Sequence, residues 1–381
     1  MHWILLISLC LNSVNVPVEE NGSAGNTTPP AKVAAPSSPR RGPGEETKAR
    51  PTPARRTAAA ALALVPGVLV AGGGHWILGD TPGAKKIAVL KGAGLATFVV
   101  GFLPILYSNA SDKVMHASYP VVIGGFGLFA IATLADLYGA VFSGRPPGTA
   151  PAFVPSLELE QHWMHVSDDQ FAYDQFWHVG LTGRLGGARL RGDFFHSPTD
   201  GNTRMSVEAA WRFLGPRTRT AVDPGPEPNP SRDGSFLELS AGLIRHEFLP
   251  ERFLVTTPEC FLLGRMDLRH MHPSLGGSFA ELGAGWGMEF TDFRDVDGRL
   301  DRSQLLLFQV AYGMYLGSGE RTGEVKLFYD HRHDDWAGGA QGVLGFFGLR
   351  GRFYFSRHWG VDWLAEHGTA TRVMLGVVFR Y

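Results

Sequence analysis

The densest group of side chains able to do chemistry is FYDHRHDDW, residues 328–336. His331, His333, Asp334 and Asp335 offer imidazole and carboxylate, the common ligands of a divalent metal. In an extended strand His331 and His333 share one face, so both could reach the same ion. The plainer reading is a polar strand end running into a solvated loop, and it outweighs the metal reading. RHMHP repeats the same spacing at His270 and His272. Nucleophilic catalysis would need a Ser–His pair with an acidic partner. No local motif supplies one, since Ser303 and Ser318 have no adjacent base. No CxxC or His/Cys zinc spacing occurs, and no cofactor is expected. Of the two cysteines, Cys10 lies in a signal-like start, which leaves Cys260 as a lone thiol.

A third candidate is GGGHWILGDTPGAKK, residues 72–86. A phosphate loop is excluded, because no GK[ST] follows and no strand precedes. The stretch is similar to the G-x-GH-x-x-x-GD sequence that opens small bacterial helical-hairpin membrane domains, with Gly72, Gly74, His75, Gly79 and Asp80 at the matching positions. The glycines predict a tight connection, with a hydrogen bond between His75 and Asp80 across it. A structural role is expected.

Composition bounds the elements that must hold these residues. The chain has 381 residues, a net charge of −1, only 19% charged residues and 49 glycines. That balance implies no electrostatic attraction to nucleic acid. Low charge with abundant glycine and 11% aromatics suits a chain that faces lipid.

Residues 1–16, MHWILLISLCLNSVNV, read as a secretory signal peptide, although no basic residue precedes the apolar stretch. Cys10 raises a lipoprotein reading, which Leu9 before it disfavours. Residues 17–57 are rich in Pro, Ala, Ser and Thr without apolar periodicity, which predicts a disordered linker. Residues 58–144 carry three apolar runs, Ala58–Ala71, Ile87–Tyr107 and Tyr119–Phe142. The second and third reach the roughly 20 residues a spanning helix needs. Gly92, Gly94, Ala96, Gly124, Gly125 and Gly127 would let two such helices approach closely. Residues 145–152 form a Pro-rich joint.

From residue 153 onward the pattern changes to alternation with period two. In ELGAGWGMEF, Leu282, Ala284, Trp286, Met288 and Phe290 oppose Glu281, Gly283, Gly285, Gly287 and Glu289. One face of the alternating segments carries charges of both signs: Arg189, Arg191, Asp193, Arg265, Asp267, Arg350, Arg352, Asp362 and Glu366. Aromatics recur toward segment ends, as interfacial girdles require. The final stretch RVMLGVVFRY places Leu375, Val377, Phe379 and Tyr381 on one face. It resembles the closing strand of bacterial outer-membrane β-barrel proteins, whose assembly signal alternates apolar residues and ends in an aromatic. The resemblance implies insertion by the barrel-assembly machinery, contact with the lipid bilayer and an outer-membrane location in a Gram-negative bacterium. It implies no ligand.

The expected fold is therefore mainly β: an antiparallel transmembrane barrel of residues 153–381 after a short α-helical membrane hairpin. Strands should begin near 155, 175, 187, 204, 236, 259, 279, 303, 323, 342, 358 and 371. Twelve is the count, with ten as the alternative because the Pro-rich connection 215–234 is long for a periplasmic turn. Mixed lumenal charge in so narrow a barrel predicts a largely closed interior. The leading functional expectation is a structural role or passage of small solutes. A membrane-embedded lipid hydrolase is the second. A periplasmic β-sandwich tethered by inner-membrane helices is the third, and it would bury the apolar faces.

Overall fold

The computed structural model describes residues 51–64, 71–109, 111–151, 154–168, 175–218, 233–293, 300–331, 345–368 and 370–381. Four helices come first: α1 (Pro53–Leu64), α2 (Gly73–Leu78), α3 (Thr81–Tyr107) and α4 (Asp112–Phe142). Twelve strands follow: β1 (Leu157–Ser167), β2 (Gln175–Leu185), β3 (Ala188–His196), β4 (Thr203–Leu214), β5 (Phe236–Phe248), β6 (Phe253–Asp267), β7 (Ser278–Phe293), β8 (Leu300–Ser318), β9 (Arg321–His331), β10 (Phe346–Tyr354), β11 (Trp359–His367) and β12 (Thr371–Arg380). Each strand pairs antiparallel with its sequence neighbours, and β1 pairs with β12, so one sheet closes on itself. Closure excludes both the ten-strand alternative and the two-sheet sandwich.

The barrel is inside out relative to a water-soluble protein. Along β1 the inward residues Glu158, Glu160 and His162 are buried, Glu160 to 1% exposure. The outward Leu159 remains 45% exposed and Trp163 38%. On β12 the outward Leu375 is 64% exposed, while inward Val378 is fully covered. A belt of bare Leu, Val, Phe and Trp is stable against hydrocarbon and costly against water. The seam follows the expected faces: Leu375 stands opposite Trp163 and Phe379 opposite Leu159. The backbone of Tyr381 completes it, its N–H donating to the Leu157 carbonyl at 2.9 Å.

With an even strand count, both ends of the sheet leave at one rim, here the near rim. The tight turns at 186–187 and 319–320 lie there, and so does the long connection out of β4, of which residues 219–232 fall outside the described residues. The connection from β6 to β7 is also at the near rim. It folds into two 3₁₀ turns, Leu268–His270 and Pro273–Leu275.

The two long helices are each apolar and long enough to cross a membrane, and they lie together beside the barrel. Gly94 of α3 and Gly125 of α4 make the crossing: a Cβ on Gly125 would fall 2.3 Å from the Phe98 nitrogen, and one on Gly94 would fall 2.6 Å from the Phe129 nitrogen. Gly92 and Gly124, also expected at this contact, face open space. Gly127 instead lets α4 sit on the outer wall, where a Cβ would meet Val310 of β8 at 2.5 Å. The contact runs the length of the barrel. Tyr119 packs at a tilt against His331 toward the far rim, with centroids 5.1 Å apart, and the Tyr138 hydroxyl donates to the Gly276 carbonyl at 2.8 Å at the near rim. Ile123, Ile131 and Ala135 fill the space against Phe308 and Val310.

Two boundaries differ from expectation. Helix α1 begins at Pro53, inside the stretch read as linker. Its start is capped: Thr52 Oγ1 accepts from the Arg55 N–H at 3.3 Å, and Pro53 takes the first helical position, where its missing N–H costs nothing. Strand β6 begins at Phe253 rather than near 259. Pro258 reads as a strand breaker, yet it sits where the β6–β7 ladder skips from Thr256 to Glu259.

The contrast between neighbouring glycines is testable. Gly125→Ala should weaken the hairpin by about 1–3 kcal/mol through forced separation of the helices. Gly124→Ala should be neutral or slightly stabilising. Limited proteolysis of residues 81–142 in detergent should accelerate in the first variant only, with the heat-dependent gel shift of the barrel unchanged in both.

Candidate functional site

Alternation aims every second side chain of twelve strands into a narrow lumen, so the charges there must neutralise one another. They do so across strands. Arg189 of β3 binds Glu208 at 2.6 Å and Glu238 at 2.7 Å, and Arg212 joins Glu238 at 2.9 Å. Arg265 of β6 reaches past two strands to Glu324 of β9 at 2.7 Å and also holds Glu281, which Lys326 contacts at 2.8 Å. Arg352 of β10 reaches past β11 and β12 to Glu158 and to Glu160 at 2.6 Å, and it contacts Asp362 as well. Arg191 comes to Glu160 from the other side, at 2.9 Å, and pairs with Asp193 at 2.7 Å. Arg350 binds Asp362 at 3.1 Å, and Arg372 binds Glu366. Eight of the nine expected lumenal charges thus belong to this network. Asp267 lies at the rim, where it accepts from the Arg269 backbone at 3.1 Å and caps the first 3₁₀ turn.

Glu160, His162 and Asp362 bring possible ligand atoms within 4.8 Å of one another. A cation would compete there with Arg191, Arg350 and Arg352, which already hold the two carboxylates. His162 instead shares a short contact with His178, Nδ1 to Nδ1 at 2.8 Å, and His178 Nε2 reaches Asp193 at 2.9 Å.

Among the described residues, packing narrows the lumen at both ends. At the far rim, inward Met164, Val166, Phe176, Phe195, Phe248 and Phe253 form an apolar plug, with Phe248 and Phe253 stacked at 4.2 Å. At the near rim, Ala150 from the joint packs on Phe279 and Tyr315. Arg265 lies over the Phe279 ring, 4.0 Å from its centroid. The joint is held by Thr149 N–H donating to the Gly317 carbonyl at 3.3 Å. Between plug and ion pairs lies a cavity of about 260 Å³, bordered by Glu160, His178, Arg191, Arg350 and Glu366.

The glycine-rich turn of the helical module organises a second cluster, outside the barrel wall. Gly72 and Gly79 take left-handed φ values of 77° and 81° at the two ends of α2. Asp80 caps α3, accepting from the Gly83 N–H at 3.2 Å. His75 does not hydrogen-bond Asp80: the nearest approach is 3.9 Å. Its Nδ1 pairs with Asp136 of α4 at 2.8 Å, and Asp136 also accepts the backbone N–H groups of Gly74 and His75. On the other side, His75 Nε2 meets Ser274 Oγ of the β6–β7 connection at 3.0 Å. His272 Nδ1 lies 2.7 Å from the same oxygen. His270 turns away to Asp233, at 2.8 Å. No local motif links Ser274 or Asp136 to His75, since they lie 199 and 61 residues from it.

The FYDHRHDDW candidate divides. His333, Asp334 and Asp335 lie outside the described residues. His331 faces outward, against Tyr119 of α4 and 3.0 Å from the Tyr329 hydroxyl, rather than into the lumen.

No family model matches the sequence, and no curated protein matches it. Solved structures do match at low identity. The outer membrane channel from Pseudomonas putida F1 is 11% identical over 62% of this chain and 99% of the other, with a TM-score of 0.38. The KdgM porin in complex with disordered oligogalacturonate is 9% identical over 59% and 99%, with a TM-score of 0.36. The translocator domain of the autotransporter NalP from Neisseria meningitidis is 11% identical over 71% and 98%, with a TM-score of 0.36. The closed even-stranded sheet with its bare apolar belt is decisive on its own. The fold is that of a bacterial outer-membrane β-barrel. Its departure from an open barrel lies in the lumen, which is spanned by ion pairs.

Arg352 is the hub of those pairs. Arg352→Ala removes one of the two arginines held by each of Glu158 and Glu160, which keep Arg184 and Arg191, and should cost about 1.5–3 kcal/mol. The temperature at which the folded gel band converts to the unfolded band should fall accordingly.

Proposed function

We propose that the chain is a closed outer-membrane β-barrel with a structural role: it holds its helical hairpin in the same bilayer and presents the helical turn at the periplasmic face. The observation that carries this reading is the occlusion of the lumen at three levels: the apolar plug, the ion pairs from Arg352 and Arg265, and the joint at Ala150. Hydrated ions passing through would have to break buried charge pairs whose separation leaves charges unsolvated. The even strand count places both barrel ends on one side, and the short turns at 186–187 and 319–320 suit the periplasmic side. On that topology α3 and α4 cross in opposite directions and return the chain to the rim where β1 begins.

Passage of small solutes is the second reading, and the lumenal cavity of about 260 Å³ favours it. It would need both the plug and the joint to move.

Single-channel recording separates the two. The wild-type chain in planar bilayers should show no steady conductance. Truncation of the plug by Phe176→Ala with Phe248→Ala should still leave the ion-paired level closed. Regular open-channel steps from the wild-type chain would favour passage.

A further inference from the structure

The cluster at the hairpin–barrel junction has more than a pin requires. We propose that Ser274 is a catalytic nucleophile, with His75 as its general base and Asp136 as the positioning residue for His75. The substrates are carboxylic esters of membrane glycerolipids. The membrane depth of the site rests on the placement above; the chemistry of the cluster does not.

Three elements converge on it. Asp136 is on α4, His75 on α2 and Ser274 in the second 3₁₀ turn between β6 and β7. The Asp136 carboxylate is held by two backbone N–H groups, from Gly74 at 3.2 Å and His75 at 3.1 Å. A carboxylate so held fixes a hydrogen on His75 Nδ1. Nε2 is left as an acceptor, aimed at Ser274 Oγ 3.0 Å away. The ring lies against α4 where residue 139 is glycine; a Cβ there would stand 2.1 Å from its Cε1.

A second imidazole borders the serine. Ser274 Oγ carries one hydrogen and faces two ring nitrogens. His272 Nδ1 accepts from the Ser274 backbone N–H at 3.3 Å and so caps the second 3₁₀ turn. In the productive arrangement Oγ–H donates to His75 Nε2 and His75 Nδ1–H donates to Asp136. The serine oxygen can therefore lose its proton to His75. His75 and Asp136 are buried, while Ser274 is only half-buried, so a reacting carbonyl has access to the nucleophile alone.

The reaction balances without a co-reactant other than water. Oγ attacks the ester carbonyl carbon, a C–O bond forms and the Oγ proton passes to His75 Nε2. Collapse breaks the bond to the leaving alkoxide, which takes that proton. Water then repeats the sequence on the acyl-serine and releases a carboxylic acid.

Position selects the substrate class. Asp136 is six residues from the end of α4, so the site lies about 9 Å from the end of that membrane-spanning helix. Glycerolipid esters lie at this depth, between hydrocarbon and headgroup. Buried Leu268 and Leu275 flank the site on the apolar side. On the polar side, exposed Lys86 places its Nζ 2.6 Å from the Met271 carbonyl, three residues from Ser274, and supplies a cation at headgroup level.

The test uses the full chain in detergent, with folding checked by the heat-dependent gel shift. A fluorophosphonate probe should label the peptide containing Ser274. Mixed micelles of phosphatidylethanolamine should release free fatty acid. Ser274→Ala should lose both signals, and Ser303→Ala should keep both. Asp136→Asn, provided it shows the gel shift, should lower kcat by about 10⁴-fold with little change in KM. If Asp136→Asn does not fold, Ser274→Ala against Ser303→Ala decides alone. Folded wild-type protein that takes no label and releases no fatty acid overturns the proposal, as does equal turnover by Ser274→Ala. The cluster is then a structural pin.

Discussion

A backbone N–H or C=O in hydrocarbon has no water to bond, so every such group in the sheet needs a partner within the sheet. The pairing of β1 with β12 meets that constraint, and the rest of the molecule depends on it. Closure removes the edges, and the alternation of side chains then divides the chain's residues between lipid and lumen without further choice. The lumen receives charge because lipid cannot. In so narrow a space each charge needs an opposite one within reach, and long arginine side chains provide the reach. Arg352 and Arg265 consequently join strands that are not neighbours in the sheet, and the wall is braced from inside.

Much of this was legible in the sequence, because period-two alternation is a local signal. The two faces of RVMLGVVFRY, the inward aim of Arg350, Arg352 and Asp362, and the count of twelve strands all follow from it. Pairing partners did not follow. Glu158 and Glu160 alternate as visibly as any residue in LELEQHWMHV, but their arginines lie on β3 and β10, at distances set by barrel closure and strand stagger rather than by spacing. Local signals also misled where a proline served two purposes. Pro53 starts a helix and Pro258 fills a gap in a ladder, although both read as breakers.

The helical turn was legible in kind and wrong in one partner. Its glycines are needed where expected: Gly72 and Gly79 for left-handed backbone, and Gly74 for the close approach of Asp136, whose Oδ1 a Cβ would meet at 2.9 Å. The partner of His75 was sought five residues away in Asp80. It lies on the third apolar run, where a lone aspartate in a membrane helix is costly unless something binds it. The cost of Asp136 was the signal, and only the packing of α2 against α4 shows what answers it. The Ser–His–acid arrangement escaped a motif search for the same reason: its three members are brought together by docking, not by sequence.

The docking surface has a consequence for biogenesis. The hairpin rests on Phe308, Val310 and Tyr329, which belong to β8 and β9, and is tied to Ser274 and Gly276 just before β7. All of these are synthesised after it. Two apolar helices must therefore exist for some time without the wall that covers them, and the last contacts of the helical module form only once more than three quarters of the barrel chain has been made. A late folding step in which the hairpin docks follows from the order of the elements along the chain.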